Sequence, residues 1–119
     1  MPKISPRAEV TEHPVYQATM AAQHIAYQLM REVPADRKSD AALLHQACVH
    51  MTTYAVYAVD PDSRTRAESW RGARDTAREA RERLEPLATF ASDEKDVETL
   101  LAHLAAVEKA ADDALGLAA

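Results

Sequence analysis

Residues 70–85 read WRGARDTAREARERLE, and the apolar side chains of this stretch recur every three or four positions. Trp70, Ala73, Ala77, Ala80 and Leu84 therefore lie along one side of a helix, and the charged residues between them fall on the rest of its surface. Alanine at most of these positions lets a neighbouring helix approach closely. The stretch predicts a helix that packs along its length against nearly parallel or antiparallel neighbours.

Prolines divide the chain into four segments with this periodicity. Proline is tolerated in the first turn of a helix and disrupts its interior. The helices are therefore expected to begin or break at Pro14, Pro34, Pro61 and Pro86. The apolar stripes of the other three segments cover residues 15–29, 44–58 and 97–114. We expect Asp60-Pro61 to open the third helix and Gly116 to close the fourth.

Helices of about twenty residues, each about 30 Å long, that are joined by short links pack as antiparallel neighbours. The sequence therefore predicts an all-α protein, an antiparallel up-down-up-down four-helix bundle over residues 14–117. A flexible N-terminal arm is expected over residues 1–13.

Composition narrows the class of protein. The chain has 119 residues, of which two are glycine, and a formal net charge of −5. This length fits one domain, and the scarcity of glycine argues against glycine-rich phosphate loops. A single cysteine, Cys48, excludes an internal disulfide. No stretch resembles a signal peptide or is long enough to span a bilayer, so we expect a cytoplasmic protein without membrane contacts.

Catalytic and metal-binding patterns are not found in the sequence. Di-iron bundles need Glu-x-x-His motifs, and none of the five histidines has a glutamate three residues before it. The serines of the second, third and fourth segments are expected at helix starts, where serine caps the backbone. We therefore expect no enzymatic activity, no metal and no cofactor.

The second predicted helix is more apolar than one buried side requires, because YAVYAV at residues 54–59 is hydrophobic on every face. One interpretation is that this helix is central to its own bundle. The other is that its extra face packs against a second copy of the chain, since exposed apolar patches mark interaction sites. The candidate interface residues, which include aromatic and methionine side chains of the first helix, are Tyr16, Met20, Tyr27, Val49, Val56 and Tyr57.

The layout resembles that of a bacterial family of four-helix bundle proteins first noticed in intervening sequences of large ribosomal RNA genes. That family includes the accessory variability determinant of diversity-generating retroelements. The resemblance lies in a first helix from Tyr16 to the Val33-Pro34 turn, in Leu43, Leu44 and Gln46 of the second helix, and in Ser63, Arg64, Arg71, Arg74 and Glu82 of the third. It implies assembly into rings, typically pentamers, and no catalysis. For the retroelement branch it also implies binding of RNA and of a reverse transcriptase.

Arginines of the third segment are the candidates for nucleic-acid binding, namely Arg64, Arg71, Arg74, Arg78 and Arg81. From Arg64 to Glu85, seven arginines and five acids leave this segment at +2, and the acids allow pairs within the helix such as Arg78 with Glu82 and Glu79 with Arg83. The fourth segment, from Asp93 to Asp113, has seven acids and two lysines, a net charge of −5.

Three interpretations of these charges remain open. The arginines form a solvated helix face, or pair with the acidic helix of a neighbouring copy, or bind RNA or DNA once an assembly repeats them. The sequence thus predicts a non-enzymatic, homo-oligomeric accessory or scaffold protein. The alternative is an adaptor that docks a partner helix on its apolar second helix.

Overall fold

The computed structural model describes residues 8–117, and within them all regular structure is helical. This confirms the prediction of an all-α protein. The five α-helices are α1 (Ala8–Thr11), α2 (Pro14–Glu32), α3 (Lys38–Val59), α4 (Arg66–Leu84) and α5 (Glu94–Leu115). Short 3-10 turns at Ala35–Arg37 and Glu85–Phe90 link α2 to α3 and α4 to α5.

The four long helices each pack against two others. α2 contacts α3 and α5, and α4 likewise contacts α3 and α5. The predicted stripe of α4 is buried from Trp70 to Leu84, and its three alanines are fully inaccessible. The fully buried side chains come from all of the long helices: Thr19 lies on α2, and larger ones lie on α3, at the end of α4, in the turn after it and on α5, namely Leu44, Met51, Leu84, Leu87, Leu100 and Leu104. One core therefore unites the long helices.

The N-terminal segment differs in part from the expected flexible arm. Residues 8–11 form α1, and Val10 is buried in the core. The Nδ1 atom of His13 accepts a hydrogen bond from the backbone N–H of Val15 at 3.1 Å and caps α2. An apolar side chain and a capping residue thus hold residues 8–13 against the helices. Residues 1–7 of the predicted arm lie outside the described residues.

The start of the third long helix also differs from the prediction. α3 ends at Val59, and a carboxylate oxygen of Asp60 accepts a hydrogen bond from the backbone N–H of Asp62 at 2.9 Å. This contact closes a turn around Pro61, so α4 begins only at Arg66. The expectation that Asp60-Pro61 opens the helix is wrong, because the aspartate caps a turn instead.

Polar side chains tie the helix ends together. The carboxylate of Glu32, the last residue of α2, accepts hydrogen bonds from the backbone N–H and the hydroxyl of Ser92, both at 2.9 Å. Asp93 caps α5 by accepting from the N–H of Lys95 at 2.9 Å. Gly116 ends α5 with a φ of 71°, which confirms its predicted role.

Candidate interaction surfaces

Charge divides the long helices into two pairs. α4 has ten charged residues among 19 and α5 has eight among 22. α2 and α3 have two each, and all four lie at the linked ends of these helices: Arg31, Glu32, Lys38 and Asp40. Between Pro14 and Met30, and again between Ala41 and Val59, no residue has a formal charge at neutral pH. We call the exposed and half-buried side chains of these two ranges the uncharged surface, apart from those that lie beside α4, which are Leu43, Gln46, His50 and Tyr54.

The arginines of α4 pair with α5 of the same chain. Arg78 donates from Nε to Oε1 of Glu108 at 3.1 Å, and Arg81 donates from Nη1 to Oε2 of the same carboxylate at 2.7 Å. The side chain of Glu108 is only 11% exposed, whereas the two arginines are 47% and 51% exposed. Both oxygens of a nearly buried carboxylate are thus satisfied, as burial of a charge requires.

The remaining candidate arginines are of two kinds. Arg74 is largely buried, with Nε 3.5 Å from Oδ1 of Asp75 and Nη1 3.9 Å from Oδ1 of Asp112 on α5. Arg64 and Arg71 are exposed and have no ion pair with any residue in the range 8–117. The structure therefore brings three of the five candidates to α5 and leaves two facing solvent.

Glu108 organises this contact and was not among the residues predicted from the sequence. The spacing predicted a pair of Arg78 with Glu82 within α4, but Arg78 pairs with Glu108 instead. The second expected pair is present, with 3.6 Å between Arg83 and Glu79. The available signal was position: Glu108 follows Val107, a residue of the apolar stripe, and so lies beside the core rather than on the far face of α5.

Exposed hydrophobic side chains concentrate on α2 and α3. Among the described residues, seven large hydrophobic side chains are exposed, and five of them belong to these two helices: Met20, Tyr27, Leu43, Tyr54 and Tyr57. Of the six predicted interface residues, Met20, Tyr27 and Tyr57 are exposed. The other three, Tyr16, Val49 and Val56, are half-buried. Exposed apolar groups are typical of interaction sites, so this surface is the candidate site of association.

A groove of about 250 Å³ lies between α2 and α3, lined by Met20, Gln23, His24, Tyr27 and His45. The rings of Tyr27 and His45 meet edge to face with their centroids 5.7 Å apart. The hydroxyl of Thr52 on α3 donates to the side-chain oxygen of Gln23 at 3.1 Å. His24 and His45 were not among the candidate residues predicted from the sequence, although His24 lies one turn from both Met20 and Tyr27.

Three further grooves each include formally charged side chains. One is lined in part by Glu32 and Asp96, another by Glu79 and Arg83, and a third by Arg81 and Glu85. The groove between α2 and α3 differs from these three because none of its lining residues is charged at neutral pH. It belongs to the uncharged surface.

The part of the chain that the structure describes was also compared with three other kinds of site: a reactive thiol, a metal centre and a membrane-spanning helix. Cys48 is buried, and this burial raises the pKa of its thiol to about 12. The thiol is therefore not ionised near neutral pH. No three His, Cys, Asp or Glu side chains within residues 8–117 are grouped to hold a metal ion. Over the same residues, no helix is long and apolar enough to cross a membrane.

Comparison with known proteins adds no relative. No protein-family model matches the chain, and no curated protein or solved structure matches it.

Proposed function

We propose that the four long helices form an antiparallel up-down-up-down bundle and that this bundle is a non-enzymatic scaffold protein of the cytoplasm. Two observations support the bundle: consecutive long helices pack against each other, and α2 also packs against α5. Links of a few residues between helices of about twenty residues reverse the chain direction at each turn.

The scaffold assembles from copies of this chain through the uncharged surface. The observation that carries this proposal is the coincidence of exposed hydrophobic side chains with the two ranges that lack formal charge. When identical chains meet through a charged surface, like charges come together and oppose association. Burial of apolar groups away from water instead favours association. α4 and α5 are less suited to this contact, because Glu108 already binds two arginines of its own chain.

The number of copies follows from the family resemblance, which implies a ring of five. A ring contact joins one patch of each copy to a different patch of the next. The α2 side of the uncharged surface, with Met20 and Tyr27, and its α3 side, with Val56 and Tyr57, supply two such patches.

Native mass spectrometry and light scattering of the full chain test this proposal. Met20 is 41% exposed and Tyr27 is 48% exposed, so Met20→Glu with Tyr27→Glu puts two charges on the surface without opening the core. We expect the wild type to be oligomeric and this variant to be monomeric with unchanged helical circular dichroism.

Leu101→Glu is the matched control, because Leu101 is 38% exposed but lies on α5 beside charged residues. It should leave the oligomer intact. A monomeric wild type at tens of micromolar, or equal disruption by both variants, would refute assembly through the uncharged surface. A monomer that instead binds an apolar partner helix would favour the adaptor.

The second candidate function is binding of RNA or DNA, and only Arg64 and Arg71 support it. Both are exposed and unpaired within the described residues, and a ring would repeat them around its axis. Contacts to several phosphates make affinity fall steeply with salt, so Arg64→Gln with Arg71→Gln should weaken RNA binding and flatten its salt dependence. Absence of binding at low salt would end this hypothesis. A role beside a reverse transcriptase rests on the family resemblance alone.

A further inference from the structure

We propose that Met20, His24 and His45 bind a monovalent copper ion, Cu(I), in the groove between α2 and α3. The observation behind this site is that one groove of about 250 Å³ brings together a thioether and two imidazoles, with donors from both helices. The site does not depend on the proposed assembly, because all of its ligands belong to a single chain.

Helix spacing and a ring contact place the three donors around the same groove. Met20 and His24 are four residues apart on α2, a spacing that puts their Cβ atoms about 5–6 Å apart on one face. Tyr27 lies one turn beyond His24, and the centroid of its ring is 5.7 Å from that of His45 on α3. The two imidazoles therefore lie beside the same tyrosine, on opposite walls of the groove.

The nitrogen atoms of both histidines are available to a metal ion. Within residues 8–117, the side chains of His24 and His45 make no hydrogen bond, whereas Nδ1 of His13 is occupied in capping α2. A neutral imidazole binds a metal through the nitrogen that bears no proton. His24 is exposed and His45 is half-buried, so a metal ion reaches both from solvent without opening the core.

The donor set favours a soft ion of low charge. Thioether ligands select Cu(I) and imidazole suits copper, nickel and zinc, whereas Mg²⁺ and Ca²⁺ require oxygen ligands, above all carboxylates. None of the five residues that line the groove has a carboxylate, and the side-chain oxygen of Gln23 already accepts a hydrogen bond from Thr52 at 3.1 Å. A monovalent ion also brings less uncompensated charge to these neutral ligands than a divalent ion does.

The composition of this set explains why the sequence predicts no metal. The Glu-x-x-His motif of metal-binding bundles lies within one helix, whereas these ligands are divided between α2 and α3. The third ligand is a methionine, so the set is not one of three His, Cys, Asp or Glu side chains, a grouping that is not found within residues 8–117.

Anaerobic titration of the full chain with Cu(I), in competition with a chromophoric Cu(I) chelator, tests the site. We expect one Cu(I) to bind per chain, with a higher affinity than Zn(II). Loss of an outer-shell partner of a metal ligand weakens metal affinity about 10- to 100-fold, so loss of two direct ligands by His24→Gln with His45→Gln should weaken Cu(I) binding at least about a hundredfold. Met20→Leu conserves side-chain size and removes the sulfur, and should weaken binding at least about tenfold.

Matched variants outside the groove are the controls. His50→Gln with His103→Gln removes two other histidines, and Met30→Leu removes another thioether of α2. Both controls should bind Cu(I) as the wild type does. X-ray absorption at the copper edge should show nitrogen and sulfur ligands in the wild type and in Met30→Leu, but nitrogen alone in Met20→Leu. None of the replaced side chains is fully buried, so circular dichroism should be unchanged in every variant.

The outcomes are distinct from those that test the assembly. A wild type that is monomeric and binds Cu(I) supports the site and refutes only the assembly. Absence of Cu(I) binding by the wild type overturns the inference, and so does unchanged affinity after loss of both groove histidines. Equal affinity for Cu(I) and Zn(II), with no sulfur ligand at the copper edge, overturns it as well, because the thioether would then contribute nothing.

Discussion

Gly72 shows how one residue without a side chain sets the approach of α3 to α4. A Cβ atom at this position would lie less than 3.0 Å from several atoms of the Tyr54 ring. Gly72 is in a helix and has no positive φ, so backbone freedom does not explain it. The glycine instead makes room for the aromatic ring of the neighbouring helix.

Replacement of Gly72 by alanine is therefore expected to destabilise the protein, although alanine is the better helix former. Overpacking against Tyr54 should lower the free energy of unfolding by about 1–2 kcal/mol. In a Tyr54→Ala background the same change should raise it by up to about 1 kcal/mol, since only helix propensity then acts. Urea unfolding of the four proteins of this double-mutant cycle measures both effects. A stabilising Gly72→Ala change in the wild type would contradict the steric explanation.

At the scale of elements, the contact between α4 and α5 combines an apolar seam with an ion-pair cluster. Glu108 holds Arg78 and Arg81 side by side, and Asp112 lies within 3.9 Å of Arg74. The charges on this pair of helices therefore act first within the chain. They orient α4 on α5 instead of presenting a continuous basic face.

Removal of the Glu108 carboxylate tests the strength of this contact. Glu108→Ala should lower the free energy of unfolding by about 1–3 kcal/mol. The loss is smaller than for a fully buried ion pair because the two arginines are about half exposed. Glu98→Ala is the control, since Glu98 is an exposed acid of the same helix. Chemical denaturation of both variants gives the comparison, and equal losses of stability would show that the ion pairs contribute nothing specific.

At the scale of the whole molecule, the four long helices share one core and should unfold together. Trp70 is the only tryptophan of the chain and is buried on α4, so its fluorescence reports tertiary packing while circular dichroism reports all helices. The two probes should give the same urea midpoint at a given protein concentration. A fluorescence transition that precedes the loss of helix would indicate that α4 detaches from a core that survives without it.

Periodicity allowed much of this fold to be predicted. Local rules of helix geometry predict the buried faces of α2, α4 and α5. Local capping rules likewise predict that α5 ends at Gly116. The turn at Pro61 was assigned wrongly because Asp60 can cap either a helix or a turn, and the sequence pattern does not distinguish them. The candidate interface residues were chosen because apolar side chains away from the buried face have no use within one helix, and three of the six are exposed.

The sequence by itself determined the helical class, the faces that enter the core and the presence of an apolar surface on the second long helix. These properties depend on spacing along one helix, which the order of residues specifies. Only the tertiary structure decided that Glu108 binds Arg78 and Arg81, that Gly72 accommodates Tyr54, and that His24 and His45 share a groove. Such contacts join different helices, and they depend on the rotation and axial offset of each helix in the shared core, which periodicity leaves open.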